Sequence, residues 1–335
     1  MKALLLEQYN KNLMEAIDGL KVVERPMPAL RHGRVLVKIE AAPCNPSDLL
    51  FLQSKYGALK KLPSVPGWEG AGRVVESGGG LLARWLKGKR VACALEGDRD
   101  GTWAEYFVSN ATDCIPLHRH LPINQAASLI INPFSATGLW DLARRGGHRA
   151  AVHTAGAGQL GRMLLALADR PLINIVRREA QVELLRSLGA KHVLNSSDSD
   201  FTDKLRDACA RLNATVAFDA VAGTMTGTVL GAMPPGATVY VYGSLAEQPC
   251  GEINPVELLF HDKTVTGFYL SRWLRSRNRL ALYRMARRLQ QLLIEKRIET
   301  EIQRTFSLEE AVDGLKQYVD HMTDGKVLIT PASST

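Results

Sequence analysis

The run Gly156-Ala-Gly158-Gln159-Leu160-Gly161 constrains this chain more than any other feature. A bare GxGxxG means little, because glycine is common. Here it directly follows the apolar stretch Ala150-Ala-Val-His-Thr154 and opens an apolar, helix-forming stretch over 160–168. Strand, glycine turn and helix in that order predict a dinucleotide site. Gly156 permits the tight turn, Gly158 lets the backbone approach a pyrophosphate, and Gly161 allows close helix–strand packing. The N–H groups where the helix opens, at Gln159 and Leu160, then face the phosphates.

The same strand-then-helix alternation runs from about 124 to 260. Strands are expected at 172–176, 192–195, 214–218 and 238–242, and a helix at 179–188. Such alternation predicts right-handed βαβ units and a Rossmann-type, doubly wound parallel sheet. Asp219 and Gly223 follow a strand, at the end where open α/β sheets bind ligands. His153 sits inside the first strand and reads as a core histidine. Before residue 124 the pattern differs. Arg34-Val-Leu-Val-Lys-Ile39, Gly72-Arg-Val-Val-Glu76, Lys89-Arg-Val-Ala-Cys93 and Trp103-Ala-Glu-Tyr-Phe-Val108 alternate with period two between turn residues, as in an antiparallel barrel or sandwich. The tail holds a long helix over 279–295, a helix from Leu308 that Ser307 can cap, and a last strand Lys326-Val-Leu-Ile329. The fold class is thus α/β, with a Rossmann domain at 124–260 and a β-rich domain from 1–123 and 261–335.

Of the 335 residues 46% are apolar and 23% charged, which excludes a disordered chain. The uncharged stretch 121–140 carries Pro122, Asn124, Gln125, Asn132 and Pro133, which a lipid-facing helix would not. Met1 leads into an alternating pattern with no signal-peptide character. Five scattered cysteines make no CxxC pair, so a reducing cytoplasm is expected. The net charge of +8 favours anionic partners. Between Arg272 and Arg297 nine Lys or Arg face the single acid Glu295. That segment reads either as a solvated helix face or as a landing patch for an anionic substrate or carrier.

About 20 residues past the glycine turn, an NAD site offers a carboxylate to the ribose 2′-hydroxyl. This chain has Arg177-Arg178 instead. Guanidinium groups bind a 2′-phosphate in a bidentate, charge-assisted way, so NADPH is the expected cofactor. Glu179 then serves as a helix-dipole partner.

A β-rich first domain, a central Rossmann unit and a return to the first domain resemble the medium-chain dehydrogenase/reductase superfamily over nearly the full length. The marks are Pro66-Gly-Trp-Glu-Gly-Ala-Gly72, Lys87-Gly-Lys-Arg-Val91, Gly101-Thr-Trp-Ala-Glu-Tyr106 and Gly325-Lys-Val-Leu-Ile-Thr-Pro331. The resemblance implies a GroES-like catalytic domain. Zinc-dependent members carry a Cys-x-x-Asp ligand stretch and a Gly-His-Glu ligand. The corresponding stretches here read Asn45-Pro-Ser-Asp48 and Gly67-Trp68-Glu69, and Cys44 lies one residue early. No structural-zinc cysteine cluster is present, since Cys93 and Cys114 stand alone. Zinc needs a near-complete N/S set, so no metal is expected. Asn-Pro-Ser-Asp is the pattern of the zinc-free branches, the quinone oxidoreductases and 2-enoyl thioester reductases. The stretch through Tyr56-Gly57 most resembles the mitochondrial-type enoyl reductases.

That resemblance implies NADPH-dependent reduction of a C=C bond conjugated to a carbonyl, most simply a 2-enoyl thioester on coenzyme A or an acyl carrier. Hydride adds to the β-carbon and a proton to the α-carbon, with Tyr56 as the acid; otherwise Tyr56 is a half-buried ring. The cofactor residues it implies are Asn45, Thr137, Gly243, Phe268 and Lys326, besides the glycine turn and the arginine pair. Trp68, Asn132, Tyr269 and Trp273 would line the substrate pocket. Trp68 reads equally as domain core, Asn45 as a turn residue, and Thr137 as bonded within its helix. A quinone or enone acceptor stays open, as does a nucleotide-dependent binding protein that uses the 272–297 segment for RNA or an acidic partner. The sparse aromatics there, Trp273 and Tyr283, weaken the RNA case. The family further implies a homodimer through Rossmann edge strands. No membrane partner is expected.

Overall fold

The structure is a computed structural model that describes residues 1–95 and 97–331. Two compact units emerge, one of residues 132–277 and one that joins 1–131 to the residues from 278 onward.

In the 132–277 unit six strands form one parallel sheet. Across it they run His192–Asn195, Leu172–Val176, Ala150–His153, Ala214–Asp219, Thr238–Val241 and Thr264–Gly267. Numbered by appearance in the chain, that order is 3-2-1-4-5-6, the doubly wound order. The physical reason is burial on both faces. Leu172–Val176 is buried at every position, and the sheet packs Val152, Ile173, Ala217 and Val239 against Leu205, Val229 and Leu230 of the covering helices. Helix Phe201–Leu212 stops at Asn213, which takes the left-handed conformation at φ 50°. The order reverses between Ala150–His153 and Ala214–Asp219, whose carboxyl ends define the switch point.

The unit limits differ from the expected 124 and 260. Gln125 exchanges hydrogen bonds with Thr300, Nε2 donating to its carbonyl and Oε1 accepting from its N–H, both at 2.9 Å, which fastens 123–131 to the other unit. At the far limit, Thr264–Gly267 completes the parallel sheet and Trp273 Nε1 donates to Asp141 at 3.2 Å. Thr-Val-Thr-Gly holds one large apolar residue, too few to reveal a strand by periodicity.

In the other unit, Arg34–Pro43 is the central strand. It pairs antiparallel with Glu69–Ser77, Tyr106–Asn110 and Lys326–Ile329. Arg90–Ala94, Ile115–Pro116 and Ile302–Phe306 extend the sheet, the last pairing in parallel with Lys326–Ile329. A hairpin-like pair, Lys2–Leu6 with Leu20–Glu24, packs on the same core of Leu4, Ile17, Val37, Phe51, Trp103 and Leu315. The strand expected at 103–108 begins only at Tyr106. Trp103 is wholly buried, and its Nε1 donates to the Pro43 carbonyl at 3.2 Å. The helix expected from Leu308 begins at Ala311. Ser307 and Glu310 still exchange capping bonds, Glu310 N donating to Ser307 Oγ at 3.3 Å and Ser307 N to Glu310 Oε2 at 2.9 Å. They close the turn ahead of the helix.

Candidate active site

The glycine turn sits at the switch point of the 132–277 unit. The residue in the left-handed region is Ala155, at φ 54°, so the tight turn does not rest on Gly156 as expected. A Cβ on Gly156 would lie 2.9 Å from Asn174 Cβ and 3.1 Å from Leu185 Cδ1, so this glycine serves close packing. Gly158 is different. A Cβ there would meet only the Ala155 carbonyl, at 3.4 Å, which leaves its outer side open for an approaching phosphate. At Gly161 a Cβ would lie 2.2 Å from the Gly156 carbonyl, so the helix packs onto the backbone of the turn itself. Helix Gln159–Ala166 has Gly158 as its N-cap and no capping side chain, which leaves first-turn N–H groups as anion donors.

Asp219 braces the switch point from below. Its Oδ1 accepts from Thr154 Oγ1 at 2.8 Å, Val221 N at 2.9 Å and Ala222 N at 3.2 Å, while Oδ2 accepts from Thr226 Oγ1 at 2.7 Å. Nearby, a Cβ on Gly243 would lie 2.7 Å from the Ala220 carbonyl. His153 is fully buried beside the Tyr242 hydroxyl at 2.7 Å, and burial pushes its pKa down to about 3. It is a neutral core histidine.

Arg177 and Arg178 follow the second strand with exposed side chains, and Arg178 is the N-cap of helix Glu179–Ser187. Other expected site residues of this unit have structural duties. Thr137 Oγ1 donates to the Pro133 carbonyl at 2.8 Å within helix Ile131–Arg145. Phe268 is buried against Gly138 and Trp273, the two rings 6.5 Å apart. Trp273 is buried as well, bonded to Asp141 beneath the Arg277 guanidinium. Asn132 is buried in the first turn of its helix, and Tyr269 is exposed.

In the other unit the sequence Asn-Pro-Ser-Asp is first of all a helix start. Asn45 is the N-cap of Pro46–Leu52, Pro46 takes the first position, and the Asp48 carboxylate accepts from Asn45 N at 2.7 Å. That arrangement frees the Asn45 side chain. Its Nδ2 donates to Glu69 Oε1 at 3.2 Å, and its Oδ1 accepts from the Lys326 ammonium, which also donates to the Cys44 carbonyl. Glu69 Oε2 accepts from Ile130 N and Ile131 N at 3.0 and 2.9 Å, and Asp48 Oδ1 accepts from Trp68 N at 3.1 Å. Lys60 donates to the Val65 carbonyl at 2.9 Å and lies over the Phe51 and Trp68 rings.

Two carboxyls and two ammonium groups are therefore buried together, and each charge is held against desolvation by those of opposite sign. Burial pushes Asp48 up to about 7, opposed by the Asn45 N–H and by Lys326. Burial also raises Glu69 and lowers Lys326, each partly restored by the other's charge, and takes Lys60 down to about 8. Lys326, expected at the cofactor, makes its hydrogen bonds within this network. Nothing in the sequence by itself assigns a role to the side chains of Asp48, Lys60 and Glu69. The available signal was a charged residue heading an apolar strand, at Glu69 and again at Lys326.

Tyr56 follows this helix, half-buried, its ring 5.0 Å from that of Trp68 at a 43° tilt. Trp68 packs edge-on against Phe51 at 5.4 Å and is 8% exposed. It belongs to the core and lies against the Tyr56 ring. Gly67 turns the chain into it at φ 98°, where a Cβ would lie 2.5 Å from Thr102 Oγ1.

These residues do not fit zinc. Asn45 and Trp68 offer neither thiolate nor imidazole, and burial raises the Cys44 thiol pKa far above its usual range. Among the described residues no three His, Cys, Asp or Glu side chains are grouped to hold a metal ion. Purified protein is expected to contain no stoichiometric zinc and to keep its activity in chelator. Elemental analysis finding about one zinc per chain, lost together with activity, would overturn this.

A 3-2-1-4-5-6 sheet with a glycine turn at its switch point, joined to a β-rich unit, defines a two-part dinucleotide-binding protein. Comparison narrows the class. Residues 31–119 match the alcohol dehydrogenase GroES-like domain, and 156–287 match the family described as zinc-binding dehydrogenase. A mitochondrial enoyl-[acyl-carrier-protein] reductase of Bos taurus is 32% identical over 270 residues, covering 76% of this chain and 70% of that protein. A solved Mesorhizobium loti structure, provisionally named an NADPH:quinone reductase, is 34% identical with a TM-score of 0.92, covering 99% of this chain and 98% of the other. A mycobacterial protein solved with NADPH shares the fold, with a TM-score of 0.82 at 22% identity, covering 99% and 100%. The chain belongs to the medium-chain dehydrogenase/reductase superfamily and is an NAD(P)-dependent oxidoreductase acting on small molecules. No helix among the described residues is long and apolar enough to cross a membrane.

Proposed function

We propose that this protein is an NADPH-dependent, zinc-independent reductase of C=C bonds conjugated to a carbonyl, acting on 2-enoyl thioesters. The observation that carries the reading is the Tyr56 ring laid on Trp68, next to a buried network of Asn45, Glu69 and Lys326 where zinc relatives bind metal. Bound NADPH supplies the hydride that the β-carbon receives. Trp68, backed by the buried Phe51, offers the substrate an apolar surface beneath Tyr56. Tyr56 gives its proton to the α-carbon as the enolate collapses. NADPH oxidation against crotonyl and longer enoyl thioesters, quinones and simple enones tests the substrate class. Turnover of none of them would return the chain to a binding role.

A quinone acceptor is the second reading, favoured by the likeness to the Mesorhizobium loti protein. On the cofactor, Arg177 and Arg178 would grip the 2′-phosphate. Charge-assisted bonds are worth about 1.5–3 kcal/mol, so Arg177→Ala with Arg178→Ala should weaken NADPH binding roughly 10- to 100-fold and leave NADH unchanged. Equal calorimetric affinity for the two nucleotides in the parent would remove the assignment.

A homodimer is supported by the edge strand Thr264–Gly267, which has one neighbour among the described residues and follows the exposed Leu259 and Phe260 in the chain. Sedimentation should give twice the chain mass, and a monomer at micromolar concentration would end that reading. The five free cysteines suit a reducing compartment such as the cytoplasm.

A further inference from the structure

The cations of the 272–297 segment are not equivalent. Arg277 is neutralised by Asp141 at 2.7 Å. Arg284, Arg287 and Arg288 lie on helix Arg279–Ile294 at spacings of three and four, hence on one face, and all three are exposed. No carboxylate among the described residues pairs with any of them. The nearest acid in the sequence, Glu295, accepts instead from Gln291 Nε2 at 2.7 Å. The opposite face of the helix is buried through Ala286, Leu289, Leu292 and Leu293.

Beside Arg287 and Arg288 lies a cavity of about 290 Å³, lined also by His118, Gln290, Gln291 and Ile294, with no carboxylate in its wall. The wall is fixed in place. Buried Gln290 accepts from His118 N at 2.6 Å and donates to the Pro116 carbonyl at 3.2 Å, which fastens the 116–118 segment to the helix. His118 Nδ1 accepts from His120 N at 3.3 Å, so the ring proton is on Nε2, a further donor. Two adjacent guanidinium groups, an imidazole N–H and no acid make a site for a tetrahedral anion with several acceptor oxygens. Its volume is close to the lower end of ligand pockets, about 300 Å³. That leaves room for a phosphate together with part of the group that carries it.

We propose that this cavity binds a phosphate ester on the handle of the substrate, and that the site rests on the thioester reading. The chemistry fits the 3′-phosphate of coenzyme A and the phosphodiester of a carrier's phosphopantetheine arm. Both would enter through a field that Arg284 strengthens.

The test uses the intact protein saturated with NADPH, so that the nucleotide's own phosphate sites are filled. Titration with inorganic phosphate should saturate at one site per chain, and Arg287→Gln with Arg288→Gln should weaken it at least about tenfold without changing NADPH affinity. Adenosine 3′,5′-bisphosphate binding more tightly than 4′-phosphopantetheine assigns the coenzyme A source, and the reverse order assigns the carrier arm. In turnover, the double variant should raise KM for crotonyl-CoA and leave crotonyl-N-acetylcysteamine, which has no phosphate, unaffected. Absence of saturable phosphate binding, or equal binding by the variant, overturns the proposal. It is also overturned if a single-stranded oligonucleotide binds this face more tightly than the bisphosphate and depends on Tyr283, which would make it a nucleic-acid surface. If no thioester is reduced but phosphate still binds through Arg287 and Arg288, the site stands and the thioester reading falls.

Discussion

Tyr56→Phe lowers kcat on a crotonyl thioester at least about tenfold and leaves quinone turnover nearly untouched. An enolate must be protonated on carbon, a slow transfer that a positioned acid speeds by about 100- to 10,000-fold. A quinone that accepts hydride becomes a hydroquinone anion, protonated on oxygen, which water does readily. A phenol, with an ordinary pKa near 10, keeps its proton at neutral pH and can donate without special tuning. The Phe ring keeps the contact with Trp68 at 5.0 Å, so packing and nucleotide binding should hardly change. Steady-state assays on both acceptors read the split. If the Phe variant reduces the thioester as well as the parent does, Tyr56 is a wall of the pocket and the quinone or enone reading leads.

The second large effect is on stability. Glu69→Leu is expected to cost about 3–5 kcal/mol, the usual result of removing one partner from a buried charge set. Three donors lose their acceptor, Asn45 Nδ2, Ile130 N and Ile131 N, and the ammonium of Lys326 loses a buried countercharge. An unsatisfied buried donor alone costs about 1–3 kcal/mol. Glu69→Gln, which keeps one carbonyl acceptor, should cost clearly less. Denaturant midpoints at unchanged slope measure both. A Leu variant within about 1 kcal/mol of the parent would mean that water or backbone movement compensates, and the network would lose its structural importance.

Local pattern located the elements well where burial is uniform along them. Leu172–Val176 and Lys326–Ile329 occur at the expected residues, because a short, mostly apolar run has few other ways to bury itself. Where neighbours compete, it failed. In sequence Trp103 heads an alternating run, but in the structure it is taken by the core and the Pro43 carbonyl. The strand Thr264–Gly267 was invisible until its partner Thr238–Val241 gave it a ladder.

The chain by itself determined that a strand, a glycine turn and a helix would meet as a nucleotide-binding turn, since those residues are contiguous and the order of elements is local. It also determined that thiolate and imidazole are missing where zinc relatives have them. Only the tertiary structure decided that Ala155 rather than Gly156 takes the left-handed turn. It alone drew Asn45, Glu69 and Lys326 into one buried network, and left Arg287 and Arg288 beside a cavity without an acid. Asn45 and Lys326 are 281 residues apart, and no sequence period links them. They meet because the last strand pairs with Arg34–Pro43. Once buried there, an ammonium must find oxygen acceptors and countercharge or leave the core.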